Sequence, residues 1–523
     1  MLTNYIDDSM MKSSQQSTQA LMQVDELPLN ASIAANSERE GRVATLLLRT
    51  NNQEKILPIY RGTQFTVGRK ITCNEVVTHS AVSNEHFTIY IVVFDETSVP
   101  LVYCWDRSRN GTFLNGKTIG KGQRVLLSDG DLIEIRHACA FTFHQSNEKV
   151  FYDSVLETDR LVMTDYEISQ RVIGKGTFGR VFLATNKKTS RQLACKVIET
   201  GGSVSRMAKA RTEVAILERL CHPNVVSVHD TFIIGNRIYI FEDLITGGDL
   251  FSYLIKGETL GPVPEAEALV IVFQILKALE YVHSKNVAHR DLKLDNILLV
   301  SQNPGSRIVL VDFGISKYVI GSRRMTTVVG TPEFSAPEVG FADSLRQKNH
   351  RSGYDFKCDL WSLGIVLHIL LSGISPFYDS TENTSSIARN ARECRLNLNG
   401  AAWANISRSG TPECMNSMRL RSLSNITPIA KDLVKRLICV NPDQRFSVQQ
   451  CFTHPWIRAH MSDLLSIYET KLIKDWQSPM KHHVISNDVS NEDVDVEMQG
   501  DEHRKGTKRK EVDCDGSHVS MIR

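Results

Sequence analysis

The chain has 523 residues, of which 41% are hydrophobic and 23% are charged, and its formal net charge is +2. This composition is typical of a soluble globular protein of two or three domains, and so small a net charge excludes a global field that would attract nucleic acid or a membrane. We find no run of about 18 apolar residues that would predict a membrane span, and no secretory signal pattern at the start. The 11 cysteines are scattered without a Cys-x-x-Cys pair, which indicates reduced thiols and no zinc site.

Residues 1–42 are polar and rich in Ser, Gln, Asn and Met. Such a stretch buries too little apolar area to offset the entropy of ordering, so we expect a disordered N-terminal tail. Ser14-Gln15 and Thr18-Gln19 match the minimal Ser/Thr-Gln target of DNA-damage sensor kinases. Chance pairs in a Gln-rich tail are an equally good interpretation.

Short apolar or alternating runs fill residues 43–145. They lie at 43–48, 65–67, 87–94, 102–105, 124–127, 131–135 and 140–143. Asn-Gly or Asp-Gly pairs at 110–111, 115–116 and 129–130 mark turns between them. This pattern predicts an all-β sandwich, followed by a linker at 146–165.

Three motifs follow one another in this segment: Gly68-Arg69, then SNEH at 83–86, then NGTF at 110–113. In order and spacing they resemble the forkhead-associated (FHA) domain. The forked guanidinium of Arg69 suits a phosphate group. The resemblance implies that Arg69, Ser83 and Asn110 bind phosphothreonine while His86 braces the Ser83 loop. The alternative is that Arg69 and Ser83 only occupy turns.

Residues 166–457 contain a strand-rich part, 166–243, and a helix-rich part, 244–457. Apolar residues at helical spacing predict helices at 211–220 and 265–283. Two parts of this kind predict a bilobal α+β domain with a cleft between its lobes. Residues 458–523 form a C-terminal tail that starts with an amphipathic stretch, 461–476.

Four motifs in the bilobal domain point to phosphoryl transfer. They are GKGTFGRV at 174–181, HRDLKLDN at 289–296, DFG at 312–314 and APE at 336–338. Together with Lys196 they resemble the eukaryotic protein kinases over residues 166–457. The sequence GTPE at 330–333 and Lys293 resemble the serine/threonine branch. A glycine-rich loop alone could also open a dinucleotide-binding unit, but the later motifs argue against that alternative.

The kinase resemblance assigns the nucleotide-binding residues. Gly174, Gly176 and Gly179 would let the main chain lie over the phosphates of ATP, and Val181 is also assigned to the ATP site. Lys196 would contact the α- and β-phosphates. Its ion-pair partner would be Glu213, with Glu218 as the alternative.

The same resemblance assigns the catalytic loop. Asp291 would be the base that orients the acceptor hydroxyl, and Lys293 would steady the γ-phosphate. Asn296 and Asp312 would hold Mg²⁺, since hard oxygen ligands suit that ion. Asp359, Glu338 and Arg445 resemble structural residues of the scaffold.

Regulation is also implied by the resemblance. Arg290 precedes Asp291, as in kinases that are switched on by phosphorylation of the activation loop. The candidate phosphorylation sites in this loop are Thr326, Thr327 and Thr331. Arginines stand three residues before Thr326 and Thr327.

Asp249 and Asp295 occupy positions at which basophilic kinases bind an arginine three residues before the target. They predict a preference for Arg-x-x-Ser/Thr, so that the loop would be an autophosphorylation substrate. The alternative is that both acids face solvent.

An FHA domain followed by a kinase domain resembles the checkpoint-kinase group of DNA-damage signalling. Glu242, at the gatekeeper position, is unusual, and this context is most similar to the fungal meiosis-specific member. The resemblance implies a role in the recombination checkpoint and in homologue-biased recombination, with the mitotic DNA-damage members as the alternative. A phosphopeptide-binding scaffold with an inactive kinase domain is an alternative from another class.

Two further segments carry expectations. About 20 extra residues between Trp403 and Ile429 include Ser422 and Ser424, each three after an arginine, although a tolerated surface loop explains them equally well. The basic cluster at 503–510 predicts nuclear localisation, with a solvated charged tail as the alternative. We expect a phosphothreonine protein as the docking partner, namely a chromosome-axis protein or a checkpoint adaptor. We also expect a transient homodimer, no membrane and no direct nucleic acid.

Overall fold

The structure is a computed structural model. It describes residues 41–476 except 51–52, 95–97, 146–156, 177–178, 203–206, 208–210, 212–213, 216, 257–258, 314–333, 341–353, 378–388, 392, 395, 397, 399–402 and 404–427. The predicted N-terminal tail, the insertion around 404–427 and the basic cluster lie outside these residues. Across the part of the chain that is described, no helix has the length and apolarity to cross a membrane.

The first domain is a sandwich of two sheets. One sheet has the order β2-β1-β11-β10-β7-β8 and the other the order β4-β3-β5-β6-β9. The strands are Arg42–Thr50 (β1), Gln53–Tyr60 (β2), Phe65–Gly68 (β3), Glu75–Val76 (β4), Phe87–Val92 (β5), Leu101–Asp106 (β6), Phe113–Leu114 (β7), Lys117–Thr118 (β8), Arg124–Leu126 (β9), Leu132–Ile135 (β10) and Cys139–Gln145 (β11).

Side chains from both sheets meet in one buried core. Leu46 of β1 and Phe141 of β11 come from the first sheet, and Phe87 and Ile89 of β5 come from the second. Phe87 packs edge-to-face on Phe141 with ring centroids 5.4 Å apart. The predicted sandwich is confirmed.

Strand β2 is absent from the predicted runs. It contains Pro58 and polar residues that interrupt the apolar alternation. The strand lies at the edge of its sheet and pairs only with β1 among the described strands. An edge tolerates proline because one side of the strand needs no ladder partner.

The smaller lobe of the second domain is an antiparallel sheet with the order β12-β13-β14-β16-β15. Its strands are Tyr166–Gly176 (β12), Gly179–Asn186 (β13), Gln192–Glu199 (β14), Val228–Ile234 (β15) and Arg237–Asp243 (β16). A short helix, Glu157–Val162, precedes it, within the segment predicted as a linker. Asp159 of this helix accepts hydrogen bonds from Tyr239 and Arg237 of β16, so the end of the linker packs on the lobe.

The larger lobe is mostly helical. Its helices are Leu250–Leu254, Glu265–Ser284, Pro337–Gly340, Tyr354–Ser372, Pro428–Leu437, Val448–Thr453, Pro455–Arg458 and Met461–Ile467. Two hairpins, Ile255–Lys256 (β17) with Thr259–Leu260 (β18) and Ile297–Leu299 (β19) with Ile308–Leu310 (β20), complete it, with a 3-10 turn at Leu294–Asn296 and a π turn at Tyr468–Leu472. The helix Glu265–Ser284 matches the predicted bounds within one residue. Its apolar residues cover nearly the whole circumference and are buried, as in a central helix of a core.

The last described elements belong to this lobe's core, although the sequence placed them in the tail. Leu464, Ile467 and Tyr468 are buried in the same cluster as Phe273. The Tyr468 hydroxyl donates a 2.7 Å hydrogen bond to the amide oxygen of Asn224. The packed domain therefore extends past residue 457.

Candidate active site and phosphopeptide site

Lys196 and Asp312 meet between the lobes. Lys196 stands in the middle of β14, opposite Val181 of β13 and Ile240 of β16, and is 7% exposed. Its ammonium group forms an ion pair with the Asp312 carboxylate. Burial opposes both charges, but each charge stabilises the other, so the pKa of Lys196 is raised and that of Asp312 is lowered. The predicted partner Glu213 lies outside the described residues.

The catalytic loop places three predicted residues together. The amide nitrogen of Asn296 donates to the Asp291 main-chain oxygen at 2.7 Å and to its Oδ2 at 3.0 Å. The Lys293 ammonium group lies 3.6 Å from Asp291 Oδ2. Asp291 is thus held by a neutral donor on one side and faces a cation on the other.

Asp359 braces this loop from the helix Tyr354–Ser372. Its carboxylate accepts hydrogen bonds from the main-chain nitrogens of His289 at 2.9 Å and Arg290 at 2.8 Å, and from the His283 ring at 2.8 Å. Burial alone would raise the pKa of Asp359, but the bond from His283 and nearby positive charge lower it. Arg290 and Asp312 both have a left-handed backbone, with φ of 65° and 60°. This costly conformation is held by the surrounding bonds.

A buried ion pair supports the far side of the larger lobe. Arg445 is 0% exposed and binds Glu338 through two bonds of 2.6 and 3.0 Å. It also donates to the carbonyl oxygens of Lys357 and Cys439. These contacts lie within the scaffold and involve none of the catalytic side chains, as the sequence resemblance implies.

The glycine loop is the hairpin between β12 and β13. Gly174 lies opposite Val181, and Gly176 lies opposite Gly179. A Cβ atom at Gly179 would clash with the carbonyl oxygen of Val197 on β14. Glycine is therefore required at this position by the sheet itself, in addition to any need to approach a phosphate.

The three predicted phosphopeptide residues lie on neighbouring loops at one end of the sandwich. The Arg69 main-chain nitrogen donates to the Ser83 carbonyl oxygen at 2.9 Å. The Ser83 hydroxyl accepts from the main-chain nitrogen of Arg109 at 3.0 Å. The Asn110 amide donates to the carbonyl oxygen of Ala81 at 2.9 Å. Arg69 is an exposed residue.

His86 supports these loops from inside the domain. Its Nδ1 accepts from the Ser83 main-chain nitrogen at 3.0 Å, so Nε2 carries the proton and donates to the Gly111 carbonyl oxygen at 3.3 Å. Burial lowers the pKa of His86 and keeps it neutral, although the bond to Gly111 acts in the opposite direction. The position matches the bracing role that the resemblance implies.

Comparison with known proteins adds the family. The protein kinase domain model matches residues 167–457, more than half of the chain, and the FHA domain model matches residues 65–136. The chain belongs to the protein kinase family. It is a protein serine/threonine kinase with an N-terminal FHA domain, so the predicted fold class and enzyme class are confirmed.

Two similar relatives are fungal kinases. The meiosis-specific serine/threonine-protein kinase mek1 of Schizosaccharomyces pombe is 37% identical over 475 residues, which cover 90% of this chain and 98% of the relative. The meiosis-specific serine/threonine-protein kinase MEK1 of Saccharomyces cerevisiae is 38% identical over 490 residues, which cover 86% and 92%. The crystal structure of Rad53 1-466 in complex with AMP-PNP has a TM-score of 0.46 and 24% identity, covering 79% of this chain and 100% of that chain.

Glu242, which the sequence predicts as the gatekeeper, places a carboxyl group near Lys196 and Asp312. Glu242 lies opposite Ala194 in the sheet and borders a small recess with Lys196 and Asp312. The recess is otherwise lined by Leu217, Leu220, Val225, Val226, Val228 and Phe313. Burial raises the pKa of Glu242 to about 7; the charge of Lys196 opposes this shift and that of Asp312 adds to it.

The two acids predicted to read a substrate arginine lie on neighbouring elements, since the helix that follows Asp249 contacts the 3-10 turn that carries Asp295. Asp249 pairs with Leu298 in an isolated bridge, next to the 3-10 turn that carries Asp295. Asp249 is buried, and its carboxylate caps the helix Leu250–Leu254 by accepting from the Ser252 nitrogen at 2.6 Å. Burial raises the pKa of Asp295, against the charge of Lys293. Thr326, Thr327 and Thr331 lie outside the described residues.

Two residues of the FHA domain have supporting roles that the sequence does not show. A Cβ atom at Gly68 would clash with the carbonyl oxygen of Asn84, so Gly68 lets the Arg69 loop approach the Ser83 loop. Asp106 accepts from the Ser108 nitrogen at 2.9 Å and the Thr112 hydroxyl at 2.8 Å, which holds the Asn110 loop. Gly68 belongs to the Gly68-Arg69 motif, but only the three-dimensional structure shows why glycine is needed there.

Proposed function

We propose that this kinase transfers the γ-phosphate of ATP to serine or threonine hydroxyls with the help of Mg²⁺. The observation that carries the proposal is the convergence of Asp291, Asn296, Lys293 and the Lys196–Asp312 pair at one point of the cleft. Phosphoryl transfer needs little covalent chemistry from the protein. It needs positioned charges around the phosphates and a group that orients the attacking hydroxyl.

Each side chain then has a defined task. Asp291 accepts the hydrogen bond, and finally the proton, of the acceptor hydroxyl. Lys293 stabilises the γ-phosphate, while Lys196 binds the α- and β-phosphates. Glycines 174, 176 and 179 let the main chain lie over the phosphates without a side-chain clash.

Asn296 and Asp312 fit a magnesium ion. They offer an amide oxygen and a carboxylate whose lowered pKa keeps it ionised, which are ligands that Mg²⁺ prefers. When bound, the ion would neutralise charge on the β- and γ-phosphates. The ammonium group of Lys196, which now pairs with Asp312, would then be free to bind phosphate.

We propose further that the FHA domain binds a phosphothreonine partner through Arg69, Ser83 and Asn110. The exposed position of Arg69 and the three adjoining loops support this assignment. Docking would concentrate the kinase on its partner, where neighbouring copies phosphorylate Thr326, Thr327 or Thr331 of each other. A transient homodimer follows from this arrangement.

Asp249 and Asp295 are proposed to select an arginine three residues before the target. The contact between the helix that follows Asp249 and the turn that carries Asp295 supports the proposal. Because Asp249 is already engaged in capping a helix, Asp295 would carry more of the selectivity.

The biological setting is proposed from the two fungal relatives, whose names describe meiosis-specific kinases. On this basis the kinase acts in the nucleus, in the recombination checkpoint and in homologue-biased recombination. A general DNA-damage checkpoint role is the alternative. Comparing spore viability and mitotic damage survival in a deletion strain separates the two roles.

One experiment tests the biochemical proposal. Phosphate transfer to an Arg-x-x-Thr peptide, and to the same peptide with alanine for arginine, is measured for wild type, Asp291→Asn and Arg69→Ala after pre-activation. We expect Asp291→Asn to lose at least about 10²-fold in kcat, because the acceptor hydroxyl is no longer oriented by a carboxylate. Arg69→Ala should keep peptide activity and lose binding to a phosphothreonine peptide.

Three results would contradict parts of the proposal. Wild type without magnesium-dependent transfer would favour the phosphopeptide-binding scaffold. Equal rates on the two peptides would exclude the arginine preference. Loss of peptide activity in Arg69→Ala would show that the FHA site and the catalytic site are not separate modules.

A further inference from the structure

The outer face of the second FHA sheet is apolar and buried. On β5, Phe87, Ile89 and Ile91 point into the sandwich core, whereas Tyr90 and Val92 point to the opposite face. That face would meet water in an isolated sandwich, yet Tyr90 is 4% exposed and Val92 is 1% exposed. The buried residues of this outward cluster on the FHA domain are Tyr90, Val92, Leu101, Tyr103 and Leu126, and Phe94 and Trp105 pack against them. A continuous apolar patch of this kind marks an interaction surface.

The surface that covers this patch is the kinase domain of the same chain. Ile173 of β12 and Leu183 of β13 belong to the same buried cluster. Val181, Ala194 and Leu244 pack against it. Ile173 lies on the strand before the glycine loop, and Val181, Leu183 and Ala194 lie on the next two strands of the sheet. Leu244 lies in the connection between the two lobes, which is called the hinge below.

Polar contacts tie the FHA domain to the smaller lobe. The side chain of Gln192, at the start of β14, accepts from the Leu126 nitrogen at 2.7 Å and donates to the Leu126 oxygen at 3.0 Å. Arg171 of β12 is buried and donates to the Leu127 oxygen at 2.7 Å. Such paired contacts to the main chain define the position of one domain on the other.

A second set of contacts ties the FHA domain to the segment after the hinge and to the larger lobe. The Tyr90 hydroxyl donates to the carbonyl oxygen of Thr246 at 3.2 Å. The Gln302 amide, in the loop between β19 and β20, donates to the Ile91 oxygen at 2.9 Å. A Cβ atom at Gly248 would lie 3.0 Å from the Val92 side chain, so these two segments of the chain lie close together.

We propose that the FHA domain is an intramolecular clamp across the hinge, which holds the two lobes at one separation and opposes their closure on nucleotide. A single rigid sandwich is bonded to Arg171 and Gln192 on one lobe and to Gln302 on the other. Any rotation of one lobe against the other must break the FHA contacts with one of the two lobes. Nucleotide therefore binds fully only in the fraction of molecules whose FHA domain has released.

The experiment uses the full-length protein and three variants. Val92→Glu places a charge against the hinge. Gln302→Glu is isosteric, but it sets a carboxylate against the Ile91 carbonyl oxygen and lies outside the FHA domain. Ile56→Glu is the control, since Ile56 is 65% exposed on β2 of the other sheet.

Titration with ATP and Mg²⁺ and hydrogen exchange over residues 171–173 and 243–248 are the two readouts. We expect both clamp variants to bind ATP about tenfold more tightly and to exchange faster in these segments, as for a competent state populated to about one tenth in wild type. Ile56→Glu should match wild type in both.

The affinity of Val92→Glu for a phosphothreonine peptide shows whether its FHA sandwich is folded. Gln302→Glu leaves the FHA sequence unchanged, so it tests the clamp even if Val92→Glu unfolds that domain. Unchanged exchange and unchanged ATP affinity in Gln302→Glu would overturn the proposal. Faster exchange with weaker ATP binding would also overturn it, because the clamp would then support the nucleotide site and not restrain it.

Discussion

Glu242 shows how one residue changes the energetics of the active site. An apolar gatekeeper would add to the wall of the recess formed by Leu217, Val226 and their neighbours. A carboxyl group there loses its hydration, and its position near Asp312 makes ionisation still less favourable. Lys196 compensates for only part of this cost. The sequence singles out the unusual residue, but its protonation depends on these surroundings.

Replacing Glu242 with glutamine tests that account. The pKa of Glu242 is about 7 in the folded protein against an ordinary 4.5, so between these values the unfolded chain releases a proton that the folded chain keeps. Stability therefore falls as pH rises from 4.5 to 7, and a cost on the order of 3 kcal/mol is complete above pH 7. Glu242→Gln should remove this slope and be more stable than wild type at pH 8.

Urea unfolding of the two proteins at pH 5 and pH 8 gives the comparison. Lys196 and Asp312 are coupled to Glu242, but the pKa of Lys196 is raised and that of Asp312 is lowered, so neither group titrates between pH 5 and pH 8. The difference between the proteins therefore isolates Glu242. A difference that is the same at both pH values would mean that Glu242 is ionised throughout.

At the scale of elements, the predicted phosphopeptide site depends on how closely the Arg69 loop approaches the Ser83 loop. Strand β3 ends at Gly68, and the next residue, Arg69, bonds to the Ser83 loop through the main chain. His86 holds the same loop from the core side. The site is thus built from main-chain contacts that a small change in one element would shift.

Gly68→Ala tests this close approach. The added methyl group would clash with the Asn84 carbonyl oxygen, which must move and take the Ser83 loop with it. We expect binding of a phosphothreonine peptide to weaken by at least about tenfold and the FHA domain to lose about 1–3 kcal/mol of stability. Isothermal titration and thermal unfolding measure the two effects.

Gly41→Ala is the matched control, since a Cβ atom there would meet only Tyr60 at 3.9 Å. It should leave binding unchanged. Equal peptide affinity for Gly68→Ala and wild type would show that the loop adapts without cost and that the contact does not define the site.

At the scale of the whole molecule, the kinase domain is larger than its motifs suggest. The elements from Met461 to Leu472 complete the core around Phe273, and the helix Glu157–Val162 closes the other end on β16. Both lie outside the predicted boundaries, 166 and 457. Family motifs end where the chemistry and its scaffold end, whereas packing continues until the apolar surface is covered.

Tyr468→Ala measures the contribution of the last turn. It removes a buried ring and leaves the Asn224 amide oxygen without the Tyr468 hydrogen bond, so we expect the kinase domain to lose about 3–5 kcal/mol. Leu465→Ala, at a side chain that is 38% exposed on the preceding helix Met461–Ile467, should lose less than about 1 kcal/mol. Similar Tm values for the two variants would show that the tail is not part of the folding unit.

The sequence by itself determined the fold class and the enzyme class, and it predicted which residues form the site. Alternating strands and turn pairs are local signals, and phosphoryl transfer requires particular residue types at short spacings, so Asp291, Asn296 and Asp312 are visible without a structure. Strand β2 was missed because Pro58 and polar residues interrupt its pattern, and pairing with β1 stabilises it all the same. The Lys196–Asp312 contact was not predicted, since it joins residues far apart in the chain. The predicted partner Glu213 lies outside the described residues and stays a prediction.

Only the tertiary structure decided how the modules act on each other. The apolar residues of β5 and β6 could be assigned to a sandwich core, but half of them, including Tyr90 and Tyr103, lie on the kinase domain. Burial of Glu242, capping by Asp249 and the contacts of Gln302 likewise depend on groups distant in sequence. Local patterns define elements and chemistry, whereas burial, charge coupling and domain contacts arise from long-range packing that no single segment encodes.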